Sequence, residues 1–265
     1  PTAFSTYVKC PLRFYFNVVE RLRPEDELEE SVDNMTFGNI FHESADLLYS
    51  QIQGDAEPAV RLAELRDRGE VDRCVDLAIA KVYFGNKDGS MPELGGELQI
   101  IRNIVCEYLG KNLLNYDILN HDFVVAETES GVAFDMPIKV EGEHFTVKLA
   151  GRADRIDSLN NGMLRVIDYK TGKPRLNYSG IESLFHGEPI ATKRESNIIN
   201  TLLYSMMLSH DRGRDVRPEL YYVGSMVRED YSPRFVESFD RHKRIIEAYS
   251  EVAEEFEVEV QNTLR

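Results

Sequence analysis

The residues best suited to chemistry lie in two neighbouring stretches that are typical of β-strands. The stretches are Gly151-Arg152-Ala153-Asp154-Arg155-Ile156-Asp157 and Val166-Ile167-Asp168-Tyr169-Lys170-Thr171-Gly172. Side chains two positions apart on a strand face the same way, so Asp168 and Lys170 share one face. Paired carboxylates suit Mg²⁺ or Mn²⁺, and a lysine beside them can orient water and stabilise the charge of a phosphate under attack. The competing interpretation is a surface hairpin whose Asp157 and Lys170 are solvated.

The pairing of the two strands decides whether their aspartates meet. Directly opposed residues of an antiparallel pair have a constant index sum, and Asp154 opposes Asp168 when that sum is 322. This register centres the turn on Asn161. A loop of three or five residues satisfies it, whereas a two-residue turn on Asn161-Gly162 would need a bulge. With that register, two carboxylates and Lys170 converge on one face.

These two strands resemble the core of the PD-(D/E)xK nuclease superfamily, specifically its RecB/AddB-type branch. The signature of that branch is Gly-x-x-Asp-Arg-Ile-Asp followed by Asp-Tyr-Lys-Thr-Gly, and both occur here. The resemblance implies metal-dependent hydrolysis of DNA phosphodiester bonds. It implies that Asp154 and Asp168 are catalytic and bind Mg²⁺ or Mn²⁺, that the backbone carbonyl of Tyr169 is a further ligand, and that Lys170 is the catalytic lysine.

Two upstream residues extend the resemblance towards a complete metal site. The segment Phe37-Gly38-Asn39-Ile40-Phe41-His42-Glu43 resembles the family's Gly-x-x-x-His helix, which implies that His42 is a metal ligand. Glu127 ends a predicted strand 27 residues before Asp154, about where the family places an acidic residue. We therefore expect Glu127 among the ligands, with the nearby Glu129 as the alternative.

A helix after the lysine strand carries residues expected to contact DNA. Asn200-Thr201-Leu202-Leu203-Tyr204 stands where the family has Gln-x-x-x-Tyr, and a spacing of four puts Asn200 and Tyr204 on one helix face. Asparagine keeps the amide of glutamine with one methylene less reach. Basic residues around the motifs are expected to contact phosphates: Arg152, Arg155, Lys173, Arg175, Lys193 and Arg194.

Cys10 begins a segment, Cys10-Pro11-Leu12-Arg13-Phe14, that resembles the opening of RecB/AddB-type domains. In one subgroup this cysteine joins three C-terminal cysteines around a [4Fe–4S] cluster, which normally needs four thiolates. The other cysteines are Cys74 and Cys106, without Cys-x-x-Cys spacing. We therefore expect no cluster in this chain, and Cys10, the one candidate ligand, as a small buried hydrophobe. A cluster would require a longer parent with three further cysteines, and the start at Pro1 without methionine favours such a fragment.

Helical periodicity dominates the first 120 residues, and strand patterns follow. We predict a helix from Thr2 that Pro11 interrupts, and helices at Thr36–Gln51 (with Thr36 as a possible cap), Pro58–Arg68, Val71–Phe84, Pro92–Leu119, Ser196–Ser209 and Asp240–Leu264. Strands are predicted at Phe123–Glu127, Val132–Val140, His144–Asp157 and Met163–Lys170, as an antiparallel meander, and at Glu219–Val223.

This order of elements predicts an α/β (α+β-like) fold with a helical N-terminal elaboration. The resemblance implies a restriction-endonuclease-like core, in which a central mixed sheet is flanked by helices. We expect residues 1–265 to form a single RecB-like nuclease domain. Within it, residues 52–120 would be a helical insert and residues 121–225 the catalytic sheet core.

The charge balance argues against a surface that is basic throughout. The chain has 46 Asp and Glu against 31 Lys and Arg, a net charge of −15, with much of the acid in Pro24–Asp33 and Glu247–Glu259. We expect weak, salt-sensitive DNA binding by the isolated chain. No apolar run is long enough for a membrane span and no signal peptide is evident, so we expect a cytoplasmic protein.

The function expected from the sequence is a Mg²⁺- or Mn²⁺-dependent deoxyribonuclease, more an exonuclease than an endonuclease. The resemblance implies DNA as the partner, a role in DNA end processing, repair or recombination, and a helicase domain or subunit of the same parent. The alternative is a catalytically inactive nuclease-fold module that binds DNA or serves as a scaffold. A hydrolase of small phosphoesters is a third, weaker interpretation.

Overall fold

The fold was analysed in a computed structural model that describes residues 1–22, 33–86, 89–90, 92–186, 195–239 and 242–265. The predicted phosphate contacts Lys193 and Arg194 lie outside the described residues, as does the acidic stretch Pro24–Asp33 except for its last residue. Among the described helices, none is both long and apolar enough to cross a membrane.

The described elements before residue 120 are all helices, and after it strands are mixed with helices. The α-helices are α1 (Thr2–Lys9), α2 (Pro11–Phe14), α3 (Asn34–Tyr49), α4 (Pro58–Asp67), α5 (Glu70–Val82), α6 (Gly96–Cys106), α7 (Asn115–Leu119), α8 (Glu182–Phe185), α9 (Glu195–Arg212) and α10 (Ala253–Leu264). The strands are β1 (Phe123–Val140), β2 (Glu143–Leu159), β3 (Leu164–Lys170), β4 (Asn177–Tyr178), β5 (Val216–Tyr222), β6 (Val236–Phe239) and β7 (His242–Ile245). Single π-helical segments, Tyr15–Val19 and Glu107–Leu114, continue α2 and α6.

The larger sheet has the order β1-β2-β3-β5 and is mixed. Antiparallel pairing joins β1 to β2 and β2 to β3, whereas β3 and β5 are parallel and are connected through α9. Such a parallel connection needs a crossover, which the helix supplies. The predicted mixed sheet flanked by helices is confirmed, as a restriction-endonuclease-like arrangement. The smaller sheet has the order β4-β6-β7.

Helices cover both faces of the larger sheet. One face packs against α9 and α10, with Ile156 and Val166 facing Leu202 and Phe256 in one apolar cluster. The other face packs against the N-terminal helices, and there Ile167 lies in a second cluster. Residues 52–120 contribute much of that second cluster: Leu62, Val75, Ala78, Val105, Leu109 and Leu113. Because both faces are covered, six of the seven residues of β3 are buried.

The sequence predictions fail in part of the C-terminal region. The predicted helix Asp240–Leu264 is wrong in its first half, because β7 pairs with β6 and α10 begins only at Ala253. The pairing is reinforced by Arg244, whose Nε donates to Oε2 of the buried Glu237 at 3.1 Å. The predicted strands Phe123–Glu127 and Val132–Val140 are one strand, β1, with a register shift between Val125 and Glu127.

Two N-terminal predictions also need correction. The N-cap of α3 is Asp33, whose Oδ1 accepts from the Thr36 backbone N–H at 2.6 Å, and Thr36 itself lies inside the helix. Cys10 is not a buried hydrophobe, because it is half-buried at the N-cap of α2, where its Sγ accepts from the Arg13 backbone N–H at 3.4 Å. Its environment is therefore polar and set by the local turn around Pro11.

Candidate active site

The β2–β3 hairpin has the register expected from its sequence. Arg155 pairs with Ile167 and Ile156 with Val166, both with the index sum 322. The Leu159 backbone N–H donates to the Met163 carbonyl at 2.9 Å, which closes a three-residue loop at 160–162. Gly162 has φ +88°, a left-handed conformation that glycine adopts without strain. Asp154 therefore lies across from Asp168, on the face that is covered by α9.

The hairpin holds Asp154, Asp168 and Lys170 through the backbone of Tyr169. The Tyr169 N–H donates to Asp154 Oδ2 at 2.7 Å, and the Tyr169 carbonyl accepts from Lys170 Nζ at 3.1 Å. Lys170 also forms an ion pair with Asp168. The side chains of Asp154 and Asp168 are only 12% and 8% exposed, so their charges are only weakly screened by water.

Helix α3 places His42 beside this group. The His42 Nδ1 lies 3.2 Å from Asp154 Oδ2, and the imidazole is 27% exposed. The preceding Phe41 is fully buried and packs edge-to-face on the Tyr169 ring, with the centroids 5.8 Å apart. Because that contact anchors the helix against β3, the next side chain reaches Asp154. A Cβ at Gly38, one turn earlier, would meet nothing within 4 Å, so this side of α3 is open.

The acidic residue that β1 brings to the site is Glu129. Ligand atoms of His42, Glu129 and Asp154 all lie within 4.8 Å of one another. The preferred candidate from the sequence, Glu127, instead accepts from Arg212 Nη2 at 2.9 Å and from the Ser130 hydroxyl. The geometry therefore favours Glu129 over Glu127 as the candidate ligand.

The register of β1 explains why Glu129 lies at the site. Thr128 pairs with Arg155 and Ser130 with Ala153, so Glu129 lies across from Asp154 with the index sum 283. The same sum holds to the far end of the hairpin, at the two-residue turn Glu141-Gly142, whose residues both have positive φ. A two-residue hairpin turn fixes the register of its strands. The position of that turn was the sequence signal that could have identified Glu129.

The ionisation of the group follows from burial and mutual charge. Burial raises the pKa of Asp168, and repulsion by Asp154 adds to this although Lys170 opposes it. Burial acts the same way on Asp154, but His42 and Lys170 outweigh it and hold the pKa of Asp154 below its usual value. Against the effect of burial, the carboxylates raise the pKa of both His42 and Lys170. Burial also raises the pKa of Glu129. Because its own pKa is raised, Lys170 stays protonated at neutral pH.

The expected DNA contacts differ in their distance from this group. Tyr204 lies against Gly151, where an added Cβ would come within 2.7 Å of the ring. Burial and the carboxylates of Asp168 and Asp154 raise the pKa of the Tyr204 hydroxyl. This close approach explains the glycine that begins the Gly-x-x-Asp stretch.

The other expected DNA contacts lie at the margin of the site. Arg152 is 70% exposed and pairs with Glu129 at 3.5 Å. Lys173 is exposed on the loop after β3. Asn200 lies on α9 one turn before Tyr204, and its Oδ1 is buried without a hydrogen-bond partner among the described residues.

Arg155 is the clear exception among the expected phosphate contacts. It is fully buried on the opposite face of the hairpin, so it cannot contact a phosphate there. Its Nε and Nη2 donate to Asp157 at 3.0 and 2.9 Å, and its Nη1 donates to Asp117 Oδ2 at 2.7 Å. Asp157, which the surface interpretation of the hairpin would leave solvated, is fully buried as well.

The side chains of the site fit a hard divalent cation. Three carboxylates, from Glu129, Asp154 and Asp168, face one lysine and a titratable imidazole. Oxygen donors of this kind suit Mg²⁺ and Mn²⁺, and Mn²⁺ also accepts imidazole nitrogen. The negative excess and the close spacing of the ligand atoms of His42, Glu129 and Asp154 are both relieved by a bound cation.

Comparisons with known proteins agree with this chemistry. A family model described as the PD-(D/E)XK nuclease superfamily matches residues 1–263. Among solved structures, the chain is similar to one titled "Crystal structure of SSO0001", with 15% sequence identity, 88% of this chain and 87% of that chain covered, and a TM-score of 0.25. A search of curated proteins gives no match.

Proposed function

Because the chain belongs to the PD-(D/E)XK nuclease superfamily, we propose that it hydrolyses DNA phosphodiester bonds with Mg²⁺ or Mn²⁺. PD-(D/E)XK nucleases use divalent metals. The observation that carries the proposal for this chain is the convergence of Asp154, Asp168 and Lys170 with His42 at one end of the sheet. The bound metal would activate a water and neutralise charge on the scissile phosphate.

The chain's own residues divide this work. His42, Glu129, Asp154 and Asp168, with the Tyr169 carbonyl, are the proposed ligands. Lys170 is held by Asp168 and by the Tyr169 carbonyl, and its raised pKa keeps it charged. A charged lysine cannot accept a proton, so its role is to orient the water and to stabilise the negative charge that develops on the phosphate.

The proposed DNA contacts surround this group. Tyr204 packs against Gly151, and nearby carboxylates raise the pKa of its hydroxyl, so we propose that it supports the strand next to the scissile phosphate. Arg152 and Lys173 are exposed near β2 and β3, where they can pair with backbone phosphates. Asn200 is proposed to bind DNA through its amide, since its Oδ1 lacks a partner in the described structure.

The finer assignment rests on the hairpin motifs. We propose that the chain belongs to the RecB/AddB-type branch because Gly-x-x-Asp-Arg-Ile-Asp and Asp-Tyr-Lys-Thr-Gly both match it. That branch implies an exonuclease in DNA end processing, repair or recombination, with a helicase domain or subunit as partner. We propose a cytoplasmic location for a protein with this role.

Cleavage of defined DNA tests the proposal. Linear single-stranded, linear double-stranded and closed circular DNA would be incubated with the chain and MgCl₂, MnCl₂ or EDTA. We expect metal-dependent cleavage of linear DNA that Asp168→Ala and Lys170→Ala each lower by about 10³-fold. Arg228→Ala serves as the control, because Arg228 is 63% exposed and, among the described residues, its side chain pairs only with Asp230.

Each outcome separates the candidate functions. Cleavage of linear but not circular DNA supports an exonuclease, and cleavage of both supports an endonuclease. Equal cleavage by the wild type, Asp168→Ala and Lys170→Ala would overturn the assignment of the site. DNA binding without cleavage under every metal condition would instead support the inactive DNA-binding or scaffolding module.

A further inference from the structure

A polar cavity of about 610 Å³ opens at the opposite end of the larger sheet. Its lining includes residues at the end of β2 and at the beginning of β3 and β5. Arg165 lines it, and about 17 Å of strand separates Arg165 from Lys170 at the other end of β3. None of the proposed metal ligands or DNA contacts lines this cavity. Its volume lies in the range of small-molecule sites.

Three arginines run from the floor of the cavity to its rim. The side chains of Arg165, Arg217 and Arg234 are 7%, 18% and 30% exposed. At the rim, Arg217 Nε donates to the Glu247 carbonyl at 3.3 Å, and Arg234 Nη1 donates to the Glu247 carboxylate. These hydrogen bonds use one nitrogen of each guanidinium. Arg217 Nη2 also lies 3.7 Å from Glu247 Oε2, so the Glu247 carboxylate forms ion pairs with both rim arginines. Because the Glu247 side chain is half exposed, a phosphate can displace it and bind these N–H groups, for which the planar guanidinium is well suited.

The floor of the cavity carries a poorly paired carboxylate. Glu219 is only 3% exposed, and its Oε2 is buried without a hydrogen-bond partner among the described residues. Arg165 Nη1 lies 3.7 Å from that oxygen, and Arg234 Nε lies 3.8 Å from Oε1, both beyond hydrogen-bond distance. An unsatisfied buried carboxylate oxygen destabilises the fold. A ligand that brings an N–H group to the floor would pair with Glu219 through Oε1, because Oε2 is enclosed by the protein.

Aromatic rings complete the wall of the cavity. Tyr116 and Tyr231 both line it, with ring centroids 5.4 Å apart in an edge-to-face contact. Both side chains are partly buried and therefore fixed in place. Aromatic surfaces of this kind pack well against the flat face of a nucleobase.

We propose that this cavity binds a nucleoside 5′-monophosphate. The phosphate binds Arg217 and Arg234 at the rim, the base packs against the tyrosine wall, and an N–H group of the base donates to Glu219. One small molecule thus supplies the anion, the flat ring and the donor that the cavity lacks. The site goes beyond the proposed nuclease function, and it does not depend on catalysis at Asp168.

Calorimetric titration of the metal-free chain tests this proposal. The probes are the four deoxynucleoside 5′-monophosphates, the matching deoxynucleosides and inorganic phosphate. We expect at least one monophosphate to bind about tenfold more tightly than both its nucleoside and inorganic phosphate, because only the monophosphate contacts rim and floor together. Arg217→Gln should weaken this binding by about tenfold or more, since it removes charge-assisted hydrogen bonds.

Two further variants locate the bound nucleotide. Arg228→Gln, at an exposed arginine outside the cavity, and Asp168→Asn, at the candidate active site, should both bind the monophosphate as the wild type does. Glu219→Gln should weaken it less than Arg217→Gln, because the amide keeps one acceptor. The proposal is overturned if no monophosphate binds more tightly than inorganic phosphate. It is also overturned if binding is lost in Asp168→Asn but kept in Arg217→Gln.

Discussion

Neighbouring residues of the β2–β3 hairpin face opposite sides of the sheet, and they take part in two charged groups, one on each face. On the α9 face lies the carboxylate cluster, formed by His42, Glu129, Asp154, Asp168 and Lys170. On the other face lies the buried ion network, formed by Asp117, Arg155, Asp157, Arg165 and Glu219. Each group has three carboxylates and two basic side chains, yet the network is more deeply buried, since all of its side chains are less than 9% exposed.

The two groups differ mainly in how their carboxylate oxygens are bonded. Asp157 Oδ2 accepts from Arg155 Nη2 at 2.9 Å and from Arg165 Nη2 at 2.6 Å, and Asp117 Oδ2 accepts from Arg155 and from the Tyr49 hydroxyl. Planar guanidinium groups saturate these oxygens in fixed directions. In the carboxylate cluster the basic partners are an ammonium group and an imidazole, which leave oxygen lone pairs available.

This difference shows how one hairpin combines rigidity with a reactive site. Tyr169 joins the two groups, because its hydroxyl lies 3.3 Å from Arg155 Nη1 while its backbone binds Asp154 and Lys170. The network fixes the ring, and the ring fixes the backbone that holds the aspartates. Mutual repulsion in the cluster is thus balanced by the pairs of Arg155 with Asp157 and Asp117 on the opposite face.

The largest expected effect on stability comes from breaking the network. Arg155→Met removes the partner of two fully buried carboxylates, so we expect the free energy of unfolding to fall by about 3–5 kcal/mol. Urea denaturation followed by circular dichroism measures the change. Arg152→Met is the control on the same strand, since its side chain is 70% exposed, and should cost no more than about 0.5 kcal/mol. Similar losses for both variants would contradict the comparison.

The second effect concerns metal affinity in the cluster. Glu129→Gln removes a proposed ligand, so we expect Mn²⁺ to bind about tenfold more weakly or worse, measured by calorimetric titration. Glu127→Gln changes a residue paired with Arg212, so its Mn²⁺ affinity should stay within about threefold of the wild type. The reverse order would restore Glu127 as the ligand.

A smaller effect should appear as a gain of stability. The pKa of Asp168 is raised on folding, so its ionised form destabilises the folded chain at neutral pH. Asp168→Asn should therefore raise the free energy of unfolding of the metal-free chain by up to about 1 kcal/mol while abolishing cleavage. A loss of stability comparable to that of Arg155→Met would show that the cluster, like the network, is a structural element.

The smallest effect is a pH dependence of the His42–Asp154 pair. The pKa of His42 is raised on folding, so the stabilisation is complete below the unfolded value near 6.5 and disappears as pH rises through the folded value. The stability difference between wild type and His42→Gln should therefore be larger at pH 6 than at pH 9, by less than about 1 kcal/mol. Thermal unfolding without metal measures it, and an equal difference at both pH values would contradict the pairing.

The sequence predicted the parts of the site that depend on local geometry. Asn160-Asn161-Gly162 determined the β2–β3 register, and that register brought Asp154 opposite Asp168. The Glu141-Gly142 turn sets the index sum of β1 and β2 to 283, and this sum would have identified Glu129 as the residue across from Asp154. Family spacing favours Glu127, whereas the position of the turn favours Glu129.

The remaining features depend on contacts between distant parts of the chain. Arginine is usually exposed, and the burial of Arg155 depends on Asp117, which lies 38 residues earlier in α7. In the C-terminal region, the apolar pattern near residue 245 suits a helix, and pairing with β6 decides in favour of a strand. Such tertiary choices override local propensity.

Because Asp154 and Arg155 are neighbours that face opposite sides of β2, both charges find their partners only in the native register of the hairpin. If β2 shifted by one residue against β3, Arg155 would face the proposed metal ligands and Asp154 would face the apolar layer. Both charges would lose their partners, so the shifted hairpin would be much less stable than the native one. A chain that has folded has therefore also aligned its proposed catalytic side chains, and partly active misfolded forms are not expected to accumulate.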